Sequence, residues 1–273
     1  MVSGKCATTP LILQAIESAE FMLPVYIRLR THARQIAARL PEPVFYRQFS
    51  WAISLSLEIM ENTPFVGELR KWVSDNIEDD FGHGLKHSIK VAEDAGALVL
   101  IESRALNYPD KDTHRRVIIA LCAGLLHDIK RKHKNHAVAG AVCAADLLKR
   151  YPLTAAEIED VCLAIRNHEA FKPTEKAASS AGAMISDCLY DADKFRWGPD
   201  NFTDTVWSMV GYLNPPLDKF IRHYPRGMDN IAAIRHTFRS ATGKKYGPAF
   251  IDLGLAIGRE LFQVINSEFK QTS

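Results

Sequence analysis

Ten residues near the middle of the chain, LCAGLLHDIK from Leu121 to Lys130, constrain the fold more than any other stretch. An apolar run with helical spacing ends there in His127 and Asp128, and two cations, Lys130 and Arg131, come next. Packing gives no reason for an imidazole and a carboxylate at the mouth of a greasy helix. A neutral nitrogen beside an anionic oxygen does suit a first-row metal ion. The same helical period recurs on both sides. No alternating β-branched run bounded by hairpin turns interrupts it, and there is no internal repeat. The expected fold is all-α.

Taken in order, residues 8 to 40 carry Leu, Ile, Phe and Ala at helical spacing, with Pro24 expected as a kink or break. A second amphipathic stretch runs from about Phe45 to Met60 with Trp51 and Leu55 on its apolar face, and a third from about Gly67 to Ile77. Gly82 and Gly84 bracket His83, and a strong helix follows with Val91, Ala95, Leu98 and Ile101 on one side. If both are helical, His83 and His87, four apart, share a face at its first turn. After a turn at Asn107 to Asp112, a helix from about Thr113 delivers His127 and Asp128. His136 opens the next helix, whose apolar stripe reads Ala139, Val142, Ala145 and Leu148. Thr154 and Glu157 form a capping box for a helix that ends at His168 and Glu169. The helix AMISDCLYDADKFRW brings Asp187, Asp191 and Asp193, then Lys194 and Arg196. Beyond Pro199 the period stays helical, with breaks expected at Asn214-Pro215-Pro216, Pro225-Arg226-Gly227 and from Gly243 to Gly247.

Helix after helix therefore presents one metal-type residue at an end. The order H…HD…H…H…D resembles the HD-domain superfamily of metal-dependent phosphohydrolases. HSIKVAEDA looks like that family's first motif and LLHDIKR like its defining His-Asp motif. HAVAGAVCAADLL is similar to the H-x-x-x-G-A helix of its two-metal members, AIRNHEAF to the histidine that follows, and YDADKF to the closing Asp motif. The resemblance covers about residues 80 to 200. It divides the chain into N-terminal helices at 1–79, an HD domain at 80–200, and C-terminal helices at 201–273 that complete the same globule.

By this resemblance His87, His127, Asp128 and Asp193 hold one ion, and His136 and His168 complete a second position with Asp128 bridging. One departure is the short interval from Asp128 to His136, eight residues. The implied cofactor is one or two divalent transition-metal ions, with Fe, Mn, Zn, Co and Ni all suited to the donor set. The implied reaction is hydrolysis of a phosphomonoester or phosphodiester on a small phosphorylated substrate, nucleotides included. Asp128 and Lys194 are its catalytic candidates, and Lys130, Arg131 and Lys194 its phosphate-facing cations. His83 is a further catalytic candidate. FGHGLKHSIKV is similar to YHNxxHAxxV of the cyclic-nucleotide phosphodiesterases, with Gly84 where that motif has asparagine, and there the earlier histidine protonates the leaving oxygen. Two rival readings stand beside it. One, with the same ligand set, is a mixed-valent di-iron oxygenase of the HD fold, and the other is a non-catalytic signalling domain, which should carry broken ligands.

Composition narrows the setting. With 47% apolar and 24% charged residues and a net charge of +2, nothing suggests a nucleic-acid duplex or a membrane as partner. The cysteines at 6, 122, 143, 162 and 188 form no CxxC pair and fall mostly in apolar helical runs, which suggests a reducing compartment. Gln14 and Glu17 break any signal-peptide layout, so cytoplasm is the expected location.

Overall fold

A computed structural model describes residues 22–77 and 84–269. The stretch 8–21, Cys6 and His83 lie outside the described residues. The helices are α1 Pro24–Arg39, α2 Val44–Gln48, α3 Ser50–Asn62, α4 Pro64–Asn76, α5 Leu85–Ala105, α6 Asp110–Leu126, α7 His136–Leu148, α8 Ala155–Arg166 and α9 Ser180–Phe195. A π-helical turn, Asn201–Thr205, leads into α10 Val206–Leu213, α11 Leu217–Ile234 and α12 Ala241–Phe269. The fold is all-α, with no strand among the described residues. Among the described residues no helix is long and apolar enough to cross a membrane.

The centre of the molecule is the pair α5 and α6. In α5, Val91, Ala95, Leu98 and Ile101 are all buried, and α6 is buried continuously from Val117 to Leu126. Each fully buried aliphatic side chain of this size contributes about 1.5–3 kcal/mol, so this pair holds the ends that follow it in place. Contact between the two helices requires Gly124. A Cβ there would stand 2.4 Å from Ala92 Cα and 2.7 Å from Ala92 N, which are backbone atoms that cannot yield. Around the pair, α8 and α9 pack on one side and α3 and α4 on the other, while α1, α10, α11 and α12 continue the same hydrophobic cluster.

Local signals explain most of the boundaries. The break expected at Pro24 is a helix start: Pro24 occupies the first turn of α1, where its missing N–H costs nothing, and Pro64 does the same for α4. Thr154 caps α8 as a capping box, with Thr154 N donating to Glu157 Oε2 at 2.7 Å. The same Glu157 takes both Arg115 Nε and Nη2, which ties α8 to α6.

Four expectations are corrected. The stretch 45–60 is two helices, and Trp51 and Leu55 sit at its exposed edge while Ala52, Ser56, Ile59 and Met60 face inward. Ser56 Oγ donates to Glu93 O at 2.8 Å, so close approach of α3 to α5 selects small residues and pushes the large ones outward. In α7 the buried face is Ala137, Gly140, Ala141, Ala144, Leu147 and Leu148; of the expected stripe Leu148 is buried, while Val142 is exposed. His136 is turned inward at the start of that helix, which fixes the rotation of the rest. The expected break at Pro225-Arg226-Gly227 is spanned by α11, because Pro225 is exposed and water can take the carbonyl it frees. The glycines from Gly243 to Gly247 lie inside α12 and serve close contact: a Cβ on Gly243 would fall 1.9 Å from Asp191 Oδ2, and one on Gly247 2.5 Å from the Phe238 ring. Asn214-Pro215-Pro216 does separate two helices, with Asn214 at φ 39°.

Gly124→Ala should therefore destabilise the fold by about 1–3 kcal/mol through overpacking, read as a lower unfolding temperature with unchanged helical content in the folded baseline. A variant as stable as the wild type would contradict the close α5–α6 contact.

Candidate metal centre

Five helix ends converge on Asp128. His87 is in the first turn of α5, and His127 and Asp128 follow the last residue of α6. His136 is the first residue of α7, His168 lies two residues past α8, and Asp193 is in the last turn of α9. All six side chains are buried.

The Asp128 carboxylate divides them into two sets. Its Oδ2 lies 3.4 Å from His127 Nε2 and 3.8 Å from His87 Nε2. Asp193 Oδ1 completes this set at 3.3 Å from His87 Nε2 and 3.8 Å from His127 Nε2. Oδ1 of Asp128 faces the other way, 3.5 Å from His168 Nε2 and 3.7 Å from His136 Nε2. Within each set the two imidazole Nε2 atoms stand 3.2 Å apart.

The donor chemistry of this arrangement fits a cation. His127 Nδ1 donates to Gly124 O at 2.8 Å and His168 Nδ1 to Ile165 O at 2.6 Å, so in the neutral rings each Nε2 is left as a bare lone pair. His136 Nε2 accepts from Arg131 Nη1 at 3.0 Å and is likewise a lone pair. The close contact between His136 and His168 thus brings two acceptors together, which an ion bridging them would satisfy. Carbonyls that fix the far nitrogen are a usual support for metal-binding histidines. The same contacts set the charge balance of the side chains themselves. Burial raises the pKa of Asp128, but His127 and His168 outweigh it and hold it well below the usual carboxylate range. Burial likewise raises Asp193, while Lys194 and His87 bring it well below that range. Burial lowers His87, and it pushes His136 down to about 4 together with His168 and Arg131, so both rings are neutral donors near pH 7. Burial also lowers His127, yet Asp128 and Asp193 outweigh it and raise that pKa.

The expected phosphate-facing cations occupy different positions. Lys194 is buried, donates to Asp193 Oδ2, and lies over the rings of Tyr190 and Trp197. Arg131, about one-third exposed, points into the second ligand set, 3.5 Å from Asp128 Oδ1. Lys130 is half-buried, and its ammonium makes no ion pair among the described residues. Asp191 turns away from the ligands and accepts the backbone N–H groups of Arg239 and Ser240, both at 2.8 Å.

Sequence reasoning missed the supports. Arg196 bonds Asp94 Oδ2 and Tyr46 Oη, and reaches Asp200 at 2.7 Å, fastening the end of α9 to α5 and α2. Removing one partner of such a buried pair costs about 3–5 kcal/mol. The available signal was Asp94, which with Glu93 interrupts the apolar run of α5 and is the one of the two on its buried face. Around His168, Arg239 Nη1 donates to Asn167 O at 2.8 Å, and Asn167 pairs with the backbone of Glu175. Glu169 Oε1 lies 3.9 Å from His136 Nδ1.

Adding Mn²⁺, Fe²⁺ or Zn²⁺ to metal-stripped protein at about 100 times its Kd should stabilise the fold by roughly 2.7 kcal/mol, a rise in Tm of about 5–10 °C for a chain of this length. Asp128→Ala should show no rise. His168→Ala should bind one ion fewer than the wild type by elemental analysis; equal stoichiometry in the two proteins would make the second set structural.

Residues 84–197 match the family model of the HD domain. A comparison with curated proteins found no match. Among solved structures the chain is similar to a protein of an uncultured Thermotogales bacterium, named as a predicted HD superfamily hydrolase, at 23% identity and a TM-score of 0.47, over 78% of this chain and 98% of that one. The matched segment carries all six candidate ligands, His87, His127, Asp128, His136, His168 and Asp193.

Proposed function

We propose that the chain is a metal-dependent phosphohydrolase that cleaves a phosphomonoester or phosphodiester of a small molecule, with nucleotides among the candidate substrates. One observation carries the reading: a single buried carboxylate presents its two oxygens to two separate histidine pairs, 3.4–3.8 Å and 3.5–3.7 Å away. His87, His127, Asp128 and Asp193 would hold one divalent transition-metal ion, and Asp128, His136 and His168 a second. Such ions, when bound, lower the pKa of water toward about 7 and neutralise phosphate charge.

The chain's own residues supply the rest. Lys194 keeps Asp193 ionised and turns its Oδ1 toward His87, which makes it a positioning residue. Arg131 sits on the loop between α6 and α7 with its guanidinium against His136 and Asp128. A cation in the second set would repel it, and its partial exposure leaves room to swing outward, where a guanidinium can take a phosphate oxygen in bidentate fashion. Lys130, beside it, adds positive charge to the same loop. We assign His83 the proton for the leaving oxygen, on its sequence position four before His87 and the suitability of imidazole as a proton donor near neutral pH. The complete ligand set argues against a non-catalytic signalling role. A reducing compartment, the cytoplasm, suits the four described cysteines, all free. Burial pushes Cys122 up to about 12 and Cys162 up to about 11, leaving them unreactive.

A panel of phosphate esters, assayed without oxygen and with each of the five metals added back, should give turnover of at least one ester. A strict requirement for oxygen would replace this reading with the di-iron oxygenase. On the active ester, His83→Ala should keep full metal content and lose roughly 100-fold in turnover, with a much smaller loss on an aryl phosphate whose leaving group needs no proton. Equal losses on both would remove His83 from proton transfer.

A further inference from the structure

The π-helical turn, α10, α11 and α12 line a cavity of about 310 Å³, open on one side, that holds none of the candidate metal ligands. Phe202, Trp207, Val210, Phe220, Tyr224 and Met228 form most of its wall. Its volume lies at the lower end of the range, roughly 300–1,000 Å³, in which small-molecule pockets fall. Two of the polar atoms in the wall are already used: Trp207 Nε1 donates to Phe202 O, and Tyr224 Oη donates to Gly258 O at 2.8 Å. The remaining polar side chains are Asn201, Lys219 and His223.

The roof of this cavity is α11, an amphipathic helix that does not fully bury its apolar face. Ile231 and Ile234 are buried, but Leu217, Phe220, Ile221, Tyr224 and Met228 stay half-exposed over the hollow. Lys219 and His223 stand one turn apart, and His223 Nδ1 donates to Lys219 O at 2.8 Å. The Lys219 ammonium is exposed and makes no ion pair among the described residues. An apolar slot with a cationic edge is complementary to one kind of molecule. A polypeptide segment threaded into it would bring backbone amides that this wall cannot satisfy. An alkyl chain brings none, and an anionic head group would meet Lys219 at the edge.

We propose that this cavity binds the tail of a single-chain anionic amphiphile, a long-chain carboxylate, with its head group at Lys219 and His223. Entry is at α11, where Pro225 removes one helical hydrogen bond and Asn214-Pro215-Pro216 precedes the helix. The site requires nothing of the metal centre, so metal-stripped and metal-loaded protein bind alike.

Gly227 provides the test. It lines the cavity on the same stripe as Phe220, Tyr224 and Ile231, and a Cβ built on it meets nothing within 4 Å. Gly227→Phe should fill the cavity while improving helix propensity. Titration calorimetry on the full chain should give one dodecanoate per chain, and Gly227→Phe should lose it with an unfolding temperature no lower than wild type. Lys219→Glu, at an exposed position, should weaken dodecanoate by about tenfold or more and leave 1-dodecanol within about twofold. Dodecyltrimethylammonium should bind more weakly than dodecanoate. The proposal fails if the full chain shows no saturable dodecanoate binding, or if Lys219→Glu leaves that binding unchanged. It fails equally if binding appears only after residues 1–21 are removed, which would make that segment the occupant.

Discussion

A buried carboxylate with a different pair of imidazoles on each oxygen is expensive to build. Asp128 is almost fully buried, and its neighbours hold it ionised. An uncompensated charge in such a place is strongly unfavourable. Both of its oxygens therefore need partners that arrive from different parts of the chain. The α6 helix must stop at Leu126, α7 must begin at His136, α8 must stop short of His168, and α9 must deliver Asp193 in its last turn. The close α5–α6 contact at Gly124 and the bond that His127 Nδ1 donates to Gly124 O are one device, since the same residue sets helix spacing and ring orientation.

Much of this was legible because the pattern of metal-type residues at helix ends is local. Thr154 with Glu157, Gly84 before His87 and His136 itself mark starts that the structure keeps. Asp191 and Asp193 divide their work by helix geometry: two residues apart they cannot share a face, and Asp191 binds the backbone that leads into α12. What failed depended on packing at a distance. Large side chains at 51, 55 and 142 looked like core, yet close approach by neighbours gave the interior to Ala, Ser and Gly. Pro225 and the glycines of α12 looked like punctuation, because sequence does not say that one faces water and the others face a carboxylate and a ring. Arg196 and Asp94 were hidden by their separation of about a hundred residues.

The two halves of the molecule solve opposite problems. Around Asp128 charge is concentrated and fixed by backbone carbonyls. Beneath α11 charge is kept to one edge and the interior is left apolar. The segment from Asp193 to Phe202 joins them, running from the metal ligand through the Arg196 ion pairs to the cavity wall.

The bridging role of Asp128 is the central claim, and anomalous diffraction at the absorption edge of the bound metal tests it most directly. The account predicts two anomalous peaks on opposite sides of the Asp128 carboxylate, one among His87, His127 and Asp193 and the other between His136 and His168. A crystal of fully loaded protein whose metal lies away from Asp128, or touches only one of its oxygens at a single position, would contradict it.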